Sequence, residues 1–181
     1  MNKVIIVISA LSFCMNAFGD QGSEPKYQNT VKIGVNEVSF AHTTESGAFI
    51  GTALNFDVNL KKGALSLVGG KEIQLTENGT LTPYLGGMIV KTKGSQTGYP
   101  TVGCTYLEKV HDRISIGFNM ETLLGIHDHN PTFVSLGTPI VVKMGEHKNY
   151  HIEATPSTTL AFKSSQRDQR NGISFKVGRS F

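Results

Sequence analysis

The amino-acid sequence predicts an all-β fold, an antiparallel transmembrane β-barrel of eight strands, with ten as the alternative count. Three observations carry that prediction. Apolar and polar residues alternate with a period of two along most of the chain, which is strand spacing and not helix spacing. Residues 1–19 have the make-up of an export signal. The chain closes on an aromatic residue, Phe181, at the end of one of the alternating segments.

Met1-Asn2-Lys3 supplies a basic start, and Val4 to Phe13 an apolar stretch of about ten residues. Ala17-Phe18-Gly19 then places small residues at the two cleavage positions. Cleavage before Asp20 divides the chain into a signal peptide, residues 1–19, and a barrel domain, residues 20–181. The apolar stretch is too short for a spanning helix, which needs about 20 residues. Bulky Phe13 stands before Cys14, where lipid attachment would require a small residue. The mature chain then keeps Cys104 alone, so no internal disulfide can staple it.

The clearest strand runs from Ile50 to Leu60. Its even positions read Ile50, Thr52, Leu54, Phe56, Val58 and Leu60, and the positions between them Gly51, Ala53, Asn55, Asp57 and Asn59. One face is apolar and the other small or polar, over a length that suits a tilted spanning strand of about 9–11 residues. The pattern returns at Ile114 to Met120, at Val134 to Met144, at Tyr150 to Phe162 and at Ile173 to Phe181. Thr30–Phe40, Thr80–Thr92 and Tyr99–Lys109 read as further strands with less regular alternation. Gly63 to Thr76 reads either as part of a long turn, giving eight strands, or as a short hairpin at Gly69-Gly70, giving ten; one long strand would make an odd nine.

Between these segments Lys61-Lys62-Gly63, Glu77-Asn78-Gly79, His111-Asp112 and Glu146 to Asn149 are short and polar, as tight turns are. His42 to Ala48, Lys93 to Gly98, Thr122 to Pro131 and Ser164 to Asn171 are longer. Short turns at one end and longer loops at the other suit a membrane barrel with its loops outside the cell. Formal net charge is +3 and falls by one, to +2, with loss of Lys3. That small, scattered excess excludes a nucleic-acid partner.

Three stretches resemble the small outer-membrane barrels of Gram-negative bacteria, the OmpX/Ail-type and opacity-type proteins. Thr82-Pro83-Tyr84-Leu85-Gly86-Gly87 resembles a strand-opening stretch common in that group. Gly103-Cys104-Thr105-Tyr106-Leu107, the turn at Asp112 and Ile114-Ser115-Ile116-Gly117 resemble its periplasmic hairpin. Phe181, with apolar residues at alternating positions before it, resembles the C-terminal signal read by the barrel assembly machinery. Arg179 departs from that signal, which carries an apolar or aromatic residue there; an arginine near a strand end can snorkel to the interface. The resemblance implies location in the outer membrane, with membrane lipid and lipopolysaccharide as surroundings.

Two constellations invite chemistry. His127-Asp128-His129, in an expected outer loop, has donors for Zn²⁺ or Cu²⁺. It lacks a fixed fourth ligand and an orienting shell, so a hydrated loop is the simpler account. His151, Glu153, Thr155 and Ser157 share one face of one strand, pointing inward if Tyr150 and Ile152 meet lipid. A serine nucleophile needs a base within hydrogen-bond reach, whereas His151 and Ser157 stand about 20 Å apart along a strand. A polar interior of paired charges, using Glu153, Lys143, Lys163, Arg113 and Asp57, explains the same residues. No cofactor is implied. The functional expectation is a surface barrel whose loops mediate adhesion or host or envelope contacts with a surface ligand. The alternatives are a lipid A-modifying barrel enzyme and a soluble exported β-sandwich or barrel with the apolar face turned inward.

Overall fold

A computed structural model describes residues 27–56, 62–126, 130–145, 147–163 and 166–181. The expected signal peptide, residues 1–19, lies outside the described residues. The strand segments are β1 (Tyr27–Gly34), β2 (Glu37–Thr44), β3 (Ala48–Phe56), β4 (Gly63–Lys71), β5 (Ile73–Gln74) and β6 (Gly79–Thr92). They continue as β7 (Ser95–His111), β8 (Ile114–Leu123), β9 (Thr132–Gly137), β10 (Ile140–Met144), β11 (Tyr150–Lys163) and β12 (Gln166–Ser180). Each pairs antiparallel with its neighbours, and β1 pairs with β12, so the sheet closes on itself.

The closed barrel has ten strand positions, not eight. Segment β5 continues β4 along β6, and β9 and β10 fill one position between β8 and β11. The break between β9 and β10 falls at Thr138-Pro139, where proline has no N–H to give the ladder. The ladder is bridged across it: the Pro139 carbonyl accepts from Gly117 N–H at 3.0 Å, and Thr138 N–H donates to the Pro156 carbonyl at 2.9 Å.

Neither expected route to the strand count holds. Thr30–Phe40 is not one strand but parts of β1 and β2, turning at Val35-Asn36. Gly63–Thr76 is not a hairpin, because Gly69 and Gly70 both sit in β4, paired to β3 on one side and β6 on the other. Gly70 is there for room: a β-carbon on it would fall on the Phe49 ring and the Pro83 carbonyl.

The hidden β1–β2 turn also exchanges the two ends of the barrel for the first loops. Tyr27, Phe181 and the connections 45–47, 75–78, 112–113 and 145–149 share one end, here the terminal end. The far end carries the connections at 35–36 and 93–94, residues 124–126 and 130–131, and the ends of β11 and β12 at Lys163 and Gln166. So the expected outer loop at His42 to Ala48 is a tight turn at the terminal end, where Gly47 takes φ +78°. Lys93 to Gly98 and, among the described residues of the other expected loop, Gln166 to Asn171 are mostly strand, with Gly94 (φ +85°) closing the β6–β7 hairpin. At the 112–113 turn the Lys109 ammonium lies 3.1 Å from the Asp112 carboxylate and holds that carboxyl below the usual range.

Burial is inverted relative to a water-soluble fold. Leu85 (71% exposed) and Ile173 (62%) face outward, with Ile50, Leu54, Leu67, Phe118 and Phe175, while Thr101 (4%) and Thr155 are buried. The apolar face turned inward, expected for a soluble sandwich, is thus the outer face here. An apolar surface of this extent has lipid as its matching solvent. The seam between β1 and β12 is short. Five ladder pairs join it, Thr30↔Ser180 to Gly34↔Lys176, with Asn29 and Phe181 exchanging backbone hydrogen bonds as a sixth, against fourteen between β11 and β12.

Candidate functional site: the polar interior

Alternation along the strands decides which side chains meet inside. On β11 the outward set Tyr150, Ile152 and Pro156 leaves His151, Glu153, Thr155 and Ser157 facing in. On β1 and β2 the same parity turns Lys32 and Glu37 inward, and on β12 it turns Lys176 inward.

These charges pair. Lys32 Nζ donates to Glu153 Oε2 at 2.7 Å, and Thr155 Oγ1 donates to Glu153 Oε1 at 3.2 Å. Lys176 Nζ donates to Glu37 Oε1 at 2.7 Å. Both pairs bridge strands two positions apart, β1 to β11 and β12 to β2, so they brace one side of the wall. On another part of the wall Tyr84 Oη donates to Glu121 Oε2 at 3.1 Å, and Glu121 lies within the field of Glu37 and Lys176. Nearer the far end the rings of Tyr99 and Phe133 meet edge-on at 5.9 Å. Two lone lysines in a narrow interior would be costly, and pairing removes most of that cost.

In the half nearer the terminal end the interior widens into a cavity of about 280 Å³, lined by Lys32, Asn119, Lys143, Lys148, His151 and Glu153, among others. Lys148 enters from the 145–149 turn, in a left-handed conformation (φ 55°).

The residues singled out by sequence divide as follows. His151 and Glu153 lie in this cavity. Ser157 lies further along β11, opposite Gly172 on β12 and Gly137 on β9. No imidazole or carboxylate stands opposite its hydroxyl on either neighbouring strand. His127, Asp128 and His129 lie outside the described residues. Sequence reading named Glu153, Lys143, Lys163, Arg113 and Asp57 as interior charges but missed Lys32, Glu37 and Lys176; Lys163 and Arg113 are exposed, Arg113 in the 112–113 turn, and Asp57 lies outside the described residues.

 Among the described residues, Glu153 is thus the sequence-named carboxylate found in an interior ion pair. The three missed residues flank the unrecognised β1–β2 turn or oppose it across the seam; their inward parity is the signal that would have found them.

Arg179 faces outward at the terminal end. Its guanidinium lies 5.1 Å from the Tyr150 ring centre and 4.7 Å from that of Phe181. The aromatic faces accommodate the charge that breaks the terminal alternation.

No protein-family model and no curated protein matches the sequence. Solved structures do match the fold. The KdgM porin in complex with disordered oligogalacturonate superposes with a TM-score of 0.50 at 9% identity, covering 86% of this chain and 97% of that one. The NanC porin superposes with a TM-score of 0.50 at 8% identity, covering 86% and 98%. The chain is an outer-membrane β-barrel. The barrel's neighbours are porins, whereas its sequence stretches resemble OmpX/Ail-type and opacity-type proteins, so what they share is the multi-pass outer-membrane barrel. Within the barrel, the stretch from Thr82 to Gly87 lies inside β6 and does not open it. The stretch from Gly103 to Gly117 does form the expected hairpin, β7–β8, with its turn at the terminal end.

Proposed function

We propose that this barrel is a narrow channel for small polar solutes across the outer membrane, with its far end outside the cell. The observation that carries the reading is a charged interior that water reaches: the Lys32 and Glu153 side chains keep 34% and 13% of their exposure although they face the lumen. Eight strands would leave an interior that side chains fill. With strands about 4.8 Å apart and tilted about 40°, ten give a wall radius of about 10 Å where eight give about 8 Å. Subtracting inward side chains leaves passage for small solutes only.

Purified barrel in a planar bilayer is expected to give small, steady conductance steps. Silence at every voltage, from protein whose migration on a gel still shifts on heating, would sink the reading.

A second reading, surface contact, is favoured by one observation. The tip of the β11–β12 hairpin carries Arg167, Asp168 and Arg170, all exposed, beyond the last pairing of β12 with β1. Such a tip suits anionic lipopolysaccharide or a surface ligand, which is how adhesion would enter. Phe181, at the end of the seam strand, is the residue we assign to recognition by the assembly machinery. A lipid A-modifying activity would need a base beside Ser157, whose cross-strand partners are both glycine.

A further inference from the structure

Strand β12 has one edge without a partner among the described residues. It pairs with β11 from Gln166 to Arg179, but with β1 only from Lys176 onward, which leaves Gln166 to Phe175 open on that side. Asn29 and Phe181 exchange both backbone hydrogen bonds across the seam, so the odd-numbered residues of β12 aim their N–H and C=O at this edge. Side chains from Arg167 to Phe175 are exposed on both faces, and a β-carbon on Gly172 would meet nothing within 4 Å. Such an edge is a template for another strand, commonly blunted by proline, a bulge or repelling charge. Here there is no proline from Gln166 to Phe175, and the ladder with β11 runs without a bulge.

The charges on the edge select the strand that fits it. Laid antiparallel against a second copy of itself, with Gln169 opposite Gln169, the edge sets each Asp168 opposite the other copy's Arg170. The next symmetric register either way sets Asp168 against Asp168 or Arg170 against Arg170, which repels. In the favoured register the odd positions meet as hydrogen-bonded pairs, so about six backbone hydrogen bonds join Arg167 to Asn171 of the two copies. Within one chain Arg170 Nε lies 3.3 Å from Asp168 Oδ2, with the side chains 84% and 63% exposed, a contact that water screens.

We propose that the open edge of β12 pairs with the same edge of a second copy across two facing cell surfaces. The symmetry axis of an antiparallel pair runs perpendicular to the sheet, so the two barrels point their far ends at each other. The hairpin reaches far enough: at about 3.3 Å per residue and a tilt of about 40°, Gln166 to Phe175 rise about 25 Å past the last pair with β1. Along that rise the outward residues change from Phe175 and Ile173 to Asn171, Gln169 and Arg167, as on a strand leaving lipid. The inference rests on the surface-contact reading, with the far end outside, and names its ligand. Each pair is weak, and many barrels on each surface add up.

Oxidation of the full barrel in detergent tests the pairing whatever its orientation in cells. In a Cys104→Ser background, Gln169→Cys is expected to form a disulfide dimer at least about tenfold faster than Lys163→Cys, which is exposed on β11 away from the edge. Asp168→Arg or Arg170→Asp, added singly to the Gln169→Cys chain, is expected to abolish the dimer, because like charges then meet. The two single variants mixed together are expected to restore it. So is one chain carrying both swaps, whose net charge is unchanged. Equal rates for Gln169→Cys and Lys163→Cys, or no recovery in the doubly swapped chain, would overturn the pairing. A disulfide to a different envelope protein in place of the dimer, on oxidation of whole cells, would overturn it too. Cells carrying the unaltered barrel are expected to clump, and cells carrying either single swap are not. A dimer in detergent with no clumping overturns the facing-surface arrangement; if Asn36→Cys also stays unlabelled from outside intact cells, the outward far end is what has failed.

Discussion

Gly178 shows how closely the interior is fitted. It lies opposite His151 across the β11–β12 ladder, and a β-carbon on it would fall on the His151 imidazole and close to the Val31 carbonyl. Gly178→Ala is therefore expected to cost about 1–3 kcal/mol, the usual range for overpacking. Urea unfolding in lipid vesicles measures it, and adding His151→Ala should return part of the loss. An unchanged unfolding midpoint in the single variant would show that the ring moves aside freely. The inward direction of His151 was legible in the sequence, because Tyr150 and Ile152 beside it are outward apolar residues. Its seat on Gly178 was not, since that contact depends on the pairing register of strands more than twenty residues apart in sequence.

At the scale of elements, the first hairpin decides the orientation of everything that follows. Val35-Asn36 turns the chain at the far end, so Ser46 comes back to the terminal end, the end that also carries Phe181. In a Cys104→Ser background, Asn36→Cys is expected to react with a membrane-impermeant maleimide on intact cells, and Ser46→Cys only after the outer membrane is opened. Labelling in the reverse order would invert the barrel. Strands β3, β8 and β11 were readable because their alternation is clean. The β1–β2 turn was not, because it takes only two residues, Val35-Asn36, with apolar residues close on either side at Ile33 and Val38. A tight turn of that kind shows only as a shift of the apolar positions from odd to even, which reads as irregular alternation within one strand.

For the molecule as a whole, the barrel class was legible and its circumference was not. Outward faces repeat in every segment and can be read one at a time, but the number of strands depends on each turn being found. The seam between β1 and β12 makes one further consequence of that circumference visible. It is the shortest joint between neighbouring strand positions among the described residues, and it ties together parts of the chain about 150 residues apart. Closing a loop of that length costs about 4 kcal/mol in chain entropy, which six residue pairs must outweigh together. The joint that completes the cylinder is thus the last for which folding returns a net gain, and the first to be given up. Backbone amides of Thr30–Gly34 and Lys176–Ser180 that bridge the seam are expected to exchange with deuterium sooner than those between β11 and β12, and equal protection would show a wall with no weak joint. A cylinder of this kind breathes along one line, at the place where its two ends meet.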